Sequence, residues 1–179
     1  AFLFIFAGHE TTAGSLHSLI MLLAIHPHVQ KRLQKELDKT FLGQPVWEWD
    51  HDQHLPRLFS GFLGAVMHEG PRLITSIPQI PKNVSCEPQQ LTVNGREFTI
   101  PHKTMIKLCV SSVHRNPRYW PHGPPKDPKK AYFPPGNLDN DLEEFKPERW
   151  MNSSSTDSAL SVSLFTPPKG AYIPFSDGH

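Results

Sequence analysis

The opening stretch, AFLFIFAGHETTAGSLHSLIMLLAI, constrains the fold most, because it reads as one long apolar helix with an acid and a pair of hydroxyls set into its middle. Leu16, Leu19, Ile20 and Leu23 recur at the i, i+3, i+4, i+7 spacing of one helical face, which predicts that this face enters the core. Phe2, Phe6 and Ala13 extend apolar character around the cylinder. A second stripe, Ala7, Thr11, Gly14 and Ser18, carries only small or hydroxylated side chains, so a broad flat partner can lie close to the backbone there. Glu10 borders that stripe, and a carboxylate buried in such a segment is costly unless it is paired or hydrogen-bonded. Thr11 and Thr12 can bond back to the carbonyl one turn earlier and bend the helix. Gly8 and Gly14 loosen it further. A locally opened helix with an acid beside a hydroxyl can hold a water and pass protons.

Three other readings compete. A transmembrane span needs about 20 uninterrupted apolar residues, and His9, Glu10, Thr11 and Thr12 interrupt this one early. A zinc helix of the HExxH kind fails because the fifth position is Ala13. A plain core helix with a solvated polar notch stays level with the proton-delivery reading when this stretch is taken alone.

His26 and Pro27 end that helix, and Pro27 is well placed to open the next. Val29, Leu33, Leu37 and Phe41 then keep a four-residue beat, with Arg32 and Glu36 one turn apart on a face expected to be solvated. Gly43 to Asp52 is expected to be a loop whose Trp47 and Trp49 pack down. A third helix is expected from Leu55 to Leu73, on Phe59, Phe62, Leu63, Val66 and Met67. The seam from Phe62 through Val66 runs into Glu69, with Arg72 one turn on, which argues that this pair is buried. Pro71 between them removes a helical hydrogen bond.

Beyond Ile74 the character changes. Ile77 to Pro81 reads as extended, Leu91 to Ile100 as a hairpin around Asn94 and Gly95, and Met105 to Val110 as a further short strand. HRNPRYW follows as a turn or short helix, then a proline-rich excursion from Trp120 to Leu142, then DLEEFKPERW, and a serine-rich run from Asn152 to Ser163 read as mobile. The 19 prolines fall mostly in this second half. The expected fold is therefore mainly α with a small β-sheet: a helical part over 1–73, a strand and hairpin part over 74–119, and a meander over 120–179.

The chain begins in mid-helix without an initiator methionine and reads as one incomplete domain of a larger protein. A net charge of +1 gives no reason to expect a nucleic-acid partner. Cys86 and Cys109 make neither a metal spacing nor a disulfide framework.

Four of these stretches, in this order, resemble the landmarks of the cytochrome P-450 superfamily, the haem-thiolate monooxygenases. AGHETT resembles the oxygen-binding segment of the family's long central helix, Glu69 and Arg72 its ExxR pair, and FKPERW its PERF-type segment. PFSDGH resembles the opening of the haem loop FxxGxRxCxG through Phe175 and Gly178, with His179 next. IPHKT and HRNPRYW are similar to what the family places between those marks.

The resemblance implies a partial cytochrome P-450 fold: the central helix, two following helices, a hairpin region and the meander. It implies that Glu10 and Thr11 are catalytic, organising water and delivering protons above the iron. Ala7, Gly8, Thr11, Lys82, Phe175 and Gly178 would bind the cofactor, haem b, with Lys82 standing where many members carry an arginine near a propionate. Glu69, Arg72 and Arg149 would form a buried structural triad. No metal ligand is assigned, since the axial cysteine is expected beyond His179, and the loop's arginine and the other wall of the pocket also lie outside the chain. The implied activity is insertion of one oxygen atom from O2 into a small apolar organic substrate. Electrons would come from an NADPH-dependent reductase, and an upstream anchor would hold the complete protein at the endoplasmic reticulum membrane. The fragment alone is expected to be inactive. The alternative is a degenerate, non-catalytic member kept as a binding or structural protein.

Overall fold

A computed structural model of the chain describes residues 2–124, 140–152 and 163–175. Helix α1 runs over Phe2–Ile25 and α2 over Pro27–Phe41, followed by a single helical turn at Val46–Glu48. Helices α3 (His51–Ser60) and α4 (Phe62–Leu73) come next. Strands β1 (Gln79–Asn83), β2 (Gln89–Val93), β3 (Arg96–Ile100) and β4 (Met105–Cys109) lead to the short α5 (Val110–Val113) and a tight turn at Pro147–Trp150.

α1 is apolar all round, and this chain covers only one side of it. Leu22 is buried and Leu19 and Leu23 are partly buried against the core. Leu16 and Ile20, expected inside, are 49% and 66% exposed. The heptad-like spacing picked a line about one residue away from the covered one, and in a helix apolar on every side periodicity has no contrast from which to choose. The side chains of Phe2 and Phe6 lie outside the described residues.

α2 buries Val29, Leu33 and Phe41 as its beat requires. It stops where Leu42 and Gly43 take positive φ, 50° and 77°. Its polar side is not simply solvated. Arg32 reaches across to Glu148 at 2.6 Å and lies 4.0 Å from the centroid of the Phe62 ring, while Glu36 accepts the Phe62 amide at 2.8 Å. Glu36 thus caps the N-terminus of α4 from a neighbouring helix, where a carboxylate also meets the positive end of the helix dipole. Trp49 stacks on Phe41 at 3.6 Å as a packed loop residue should, but Trp47 is 84% exposed.

The helix expected over 55–73 is two helices. Asp50 caps α3 through the amides of Asp52 and Gln53. Gly61 is extended (φ −91°, ψ −160°) and breaks the run. The turn is tight enough that a Cβ at Gly64 would collide with the carbonyl of Phe59, so the hydrophobic pattern carries straight across a break that only the glycines mark. Pro71 does not end α4, whose Ile74 amide still reaches the Gly70 carbonyl at 2.8 Å.

Among the described residues the strands form two small antiparallel ladders. β1 pairs with β4 from Gln79↔Cys109 to Asn83↔Met105, and β2 pairs with β3 across a turn in which Asn94 and Gly95 have φ of 51° and 77°. The core gathers around α4, with Leu22 of α1 and Val29 and Leu33 of α2 on one side and Trp120, Phe145 and Trp150 on the other. The expectations over 125–139, 153–162 and 176–179 lie outside the described residues. No helix among the described residues is long and apolar enough to cross a membrane.

Candidate functional site

The chain brings its chemistry-bearing residues together in two places. The first is the carboxylate of Glu69, at zero exposure on the inner face of α4. It accepts five hydrogen bonds: two from Arg72 at 2.7 and 2.9 Å, one from Arg149 at 3.3 Å, one from the Trp150 indole at 2.8 Å and one from the Lys146 amide at 3.1 Å. The spacing of three on α4 lets Arg72 grip it with two nitrogens, and the turn at Pro147–Trp150 swings Arg149 and Trp150 onto its other flank. Both guanidiniums have partners left over. Arg72 donates to the carbonyls of His114 and Leu142 at 2.9 Å, and Arg149 to Asp141 Oδ1 at 3.0 Å and the Asp141 carbonyl at 2.8 Å.

Asp141 is thus a second buried acid of this cluster. Burial by itself raises its carboxyl, but Lys146 at 2.6 Å and the charge of Arg149 outweigh that and hold it below the ordinary carboxylate range. Two acids balance two guanidiniums with nearly every donor used, the condition under which buried charge is tolerated. Asp141 and Trp150 were not picked out from the sequence. The signal for Trp150 was its indole, which needs an acceptor wherever it is buried; Asp141 carried no local signal.

His114 holds the tail to this cluster. It is fully buried, and its Nε2 accepts the Ile173 amide at 2.9 Å, so the ring's proton sits on Nδ1. Burial pushes the imidazole down to about 4. Because the folded value lies below the unfolded one of about 6.5, the unfolded chain takes up the proton first on acidification. The contribution of His114 to stability is therefore fully present above about pH 6.5 and is lost as the pH falls towards about 4, at a slope of up to about 1.4 kcal/mol per pH unit. Denaturant midpoints measured from pH 7 to pH 4.5 should show this loss, and His114→Gln should flatten it. Tyr172 packs beside His114 with ring centres 5.3 Å apart, and burial keeps its phenol neutral and raised; its hydroxyl donates to the His68 carbonyl at 3.1 Å.

The second place is the Thr11 turn of α1. Thr11 Oγ1 donates to the Ala7 carbonyl at 2.6 Å, the back-bond expected of a mid-helix threonine. Ser15 and Ser76 both approach the Thr11 carbonyl, at 2.9 and 3.2 Å, and their hydroxyls lie 2.6 Å apart. Next along, Thr75 Oγ1 lies 3.2 Å from the Ile77 carbonyl and 3.3 Å from that of Pro174, the residue before Phe175, with one proton to give to either. The chain of contacts therefore runs from the Thr11 turn through Thr75 and Ser76 to the tail. Among the described residues, Ala7, Gly8 and Gly14 are exposed and a Cβ added at Gly8 or Gly14 meets nothing within 4 Å, while Thr11 and Ser18 of the same stripe are half-buried. Glu10, expected within a buried segment, is exposed and bears no desolvation cost here. Lys82 sits half-buried in β1 opposite Ile106, and Phe175 is 50% exposed at the end of the described tail. Gly178 and His179 lie outside the described residues. Ser15 and Ser76 are the site residues that sequence reading passed over. A serine four residues after a threonine is the local signal for the first, and no local signal marks the second.

The geometry fits a flat cofactor on one side only. The stripe supplies an open wall and the Thr11 hydroxyl an oriented polar group. Cys86 and Cys109 are exposed on the strand region, and no group of three or more His, Cys, Asp or Glu among the described residues is placed to hold a metal.

Comparison with known proteins identifies the family and the fold. The family model described as Cytochrome P450 matches residues 1–128. Cytochrome P450 3A40 of Oryzias latipes is 31% identical over 179 residues, covering 99% of this chain and 28% of that protein. Cytochrome P450 3A13 of Mus musculus is 28% identical over 98% of this chain and 27% of its own length. A cytochrome P450 monooxygenase of Arthrobotrys oligospora is 29% identical over 90% of this chain and 24% of its own. The chain thus spans about a quarter of the length of these relatives. The crystal structure of a mutant cytochrome P450DA heme domain superposes with a TM-score of 0.64 at 23% identity, covering 99% of this chain and 32% of that one, which shows a shared fold. The chain belongs to the cytochrome P-450 family.

Proposed function

We propose that this chain supplies the distal wall and the buried scaffold of a haem monooxygenase that inserts one oxygen atom from O2 into a small apolar organic substrate. The observation that carries the reading is the Thr11 turn, where a hydroxyl fixed by its own back-bond stands on an open, small-residue face of an otherwise apolar helix. Bound haem b supplies the activation of dioxygen and the oxygen transfer. Ala7 and Gly8 would let the flat ring approach the helix, and Phe175 and Gly178 would help to hold it. Lys82 offers a cation to a ring carboxylate. Thr11 Oγ1 spends its only proton on Ala7 and keeps its lone pairs for a water, which the exposed carboxylate of Glu10 resupplies with protons from solvent. Glu69, Arg72 and Arg149 hold the floor in place and touch no reactant.

On this reading the axial cysteine lies beyond His179, the electrons come from an NADPH-dependent reductase, and an upstream anchor holds the complete protein at the endoplasmic reticulum membrane. The chain alone is inactive. Support comes from the family and from the order of its motifs along the chain. Turnover of the full-length protein under isotopically labelled dioxygen tests it: the product should carry one labelled oxygen atom. Absence of labelled product with any apolar substrate, from protein that retains haem, would favour a non-catalytic member.

A further inference from the structure

Three contacts join the hydroxyls of Ser15 and Ser76 to each other and to the carbonyl of Thr11, at 2.6, 2.9 and 3.2 Å, yet two hydroxyls have only two protons to share among them. Two arrangements satisfy this. Either Ser76 donates to Ser15 and Ser15 to the carbonyl, or Ser15 donates to Ser76 and Ser76 to the carbonyl. In both, Thr11 O gains a donor beyond its helical partner, which draws that carbonyl outward and sets the local bend of α1. Thr11 in turn holds the Ala7 carbonyl one turn earlier.

Ser76 belongs to no part of α1. It sits in the link between α4 and β1, adjacent to Thr75, whose hydroxyl has both the Ile77 carbonyl at 3.2 Å and the Pro174 carbonyl of the tail at 3.3 Å within reach of its one proton. One dipeptide therefore ties the distal turn to the segment that leads towards the haem loop. Both Ser15 and Ser76 are half-buried, which shields the pair from competing water.

We propose that Ser15 and Ser76 are positioning residues for Thr11: their shared hydroxyl pair sets the orientation of the Thr11 turn, and through Thr75 it keeps that turn in register with the tail. This deepens the proposed function and rests on the role given there to Thr11. Without Ser76 the pair loses its anchor outside the helix, Thr11 O relaxes towards its helical partner, and the Thr11 hydroxyl is no longer held where it serves proton delivery.

Two measurements on the full-length haem-loaded protein test this. The first concerns position alone: with Cys86 and Cys109 changed to serine, Ser15→Cys with Ser76→Cys should form a reducible cross-link under mild oxidant, seen by mass as joined peptides, since the two hydroxyl oxygens lie 2.6 Å apart and the side chains therefore meet. The second concerns effect: Ser76→Ala should keep its haem but raise the fraction of consumed electrons recovered as hydrogen peroxide about fivefold, the weight of one hydrogen bond, and Ser76→Thr should restore the original fraction. Failure of the cross-link would overturn the placement. Loss of haem from Ser76→Ala would overturn the proposal by making the hydroxyl a folding requirement. An unchanged peroxide fraction in Ser76→Ala beside a raised one in Thr11→Ala would overturn the positioning role and leave the reading of Thr11 standing; no change in either variant would remove both.

Discussion

Glu69→Ala is expected to abolish haem incorporation in the full-length protein, because it strips the acceptor from five hydrogen bonds at once. The variant leaves Arg149 buried with Asp141 as its acid and Arg72 buried with the carbonyls of His114 and Leu142. Breaking a buried ion pair in this way costs about 3 to 5 kcal/mol, a large share of the roughly 5 to 15 kcal/mol that holds a domain together. The indole of Trp150 and the amide of Lys146 lose their acceptor in the same stroke. A graded companion separates this network from general fragility. Trp150→Phe keeps the ring packing but leaves one oxygen of Glu69 a donor short, at about 1 to 3 kcal/mol, so it should lower the denaturation midpoint while retaining haem. Glu69→Ala expressed with normal haem content would show that the cluster does not hold the fold together.

Thr11→Ala should act on chemistry and leave folding intact. The residue is half-exposed, its hydroxyl bonds the Ala7 carbonyl and no other group among the described residues, and alanine favours the helix more than threonine does. Positioned proton transfer contributes about a hundredfold or more to a rate. Product formed per electron consumed should therefore fall by on the order of tenfold, with the balance appearing as hydrogen peroxide. Thr11→Ser, which keeps the hydroxyl, should preserve coupling. Coupling in Thr11→Ala equal to that of the unaltered protein would remove Thr11 from proton delivery.

These two expectations differ in how far the sequence alone supported them. The Glu69–Arg72 pair was legible because a three-residue spacing and an apolar seam are local facts, and the buried geometry follows from them. Arg149 was placed beside the pair by resemblance alone, since nothing in FKPERW says where a residue eighty positions later will fold. Asp141, Trp150 and Ser76 make contacts of the same long-range kind, and they went unread for the same reason. The hairpin at Asn94 and Gly95 was legible through its required positive φ values, whereas the pairing of β1 with β4 is a tertiary choice that strand propensity does not encode.

The misreadings have equally physical causes. The covered side of α1 could not be chosen by periodicity, because a helix apolar on every side offers no contrast. The break at Gly61 was hidden because the apolar beat of Phe59, Phe62 and Val66 passes through it undisturbed. Arg32 and Glu36 looked like a mutual surface pair by spacing, yet each found a stronger partner on another element, Glu148 for one and the uncapped N-terminus of α4 for the other.

The central claim, that the open face of α1 looks onto a thiolate-bound haem, is tested most directly by the carbon monoxide difference spectrum of the reduced full-length protein. The account predicts stoichiometric haem and the band of a cysteine-thiolate-ligated iron. Protein that is folded but free of haem, or that gives the band of a histidine-ligated iron, would contradict it.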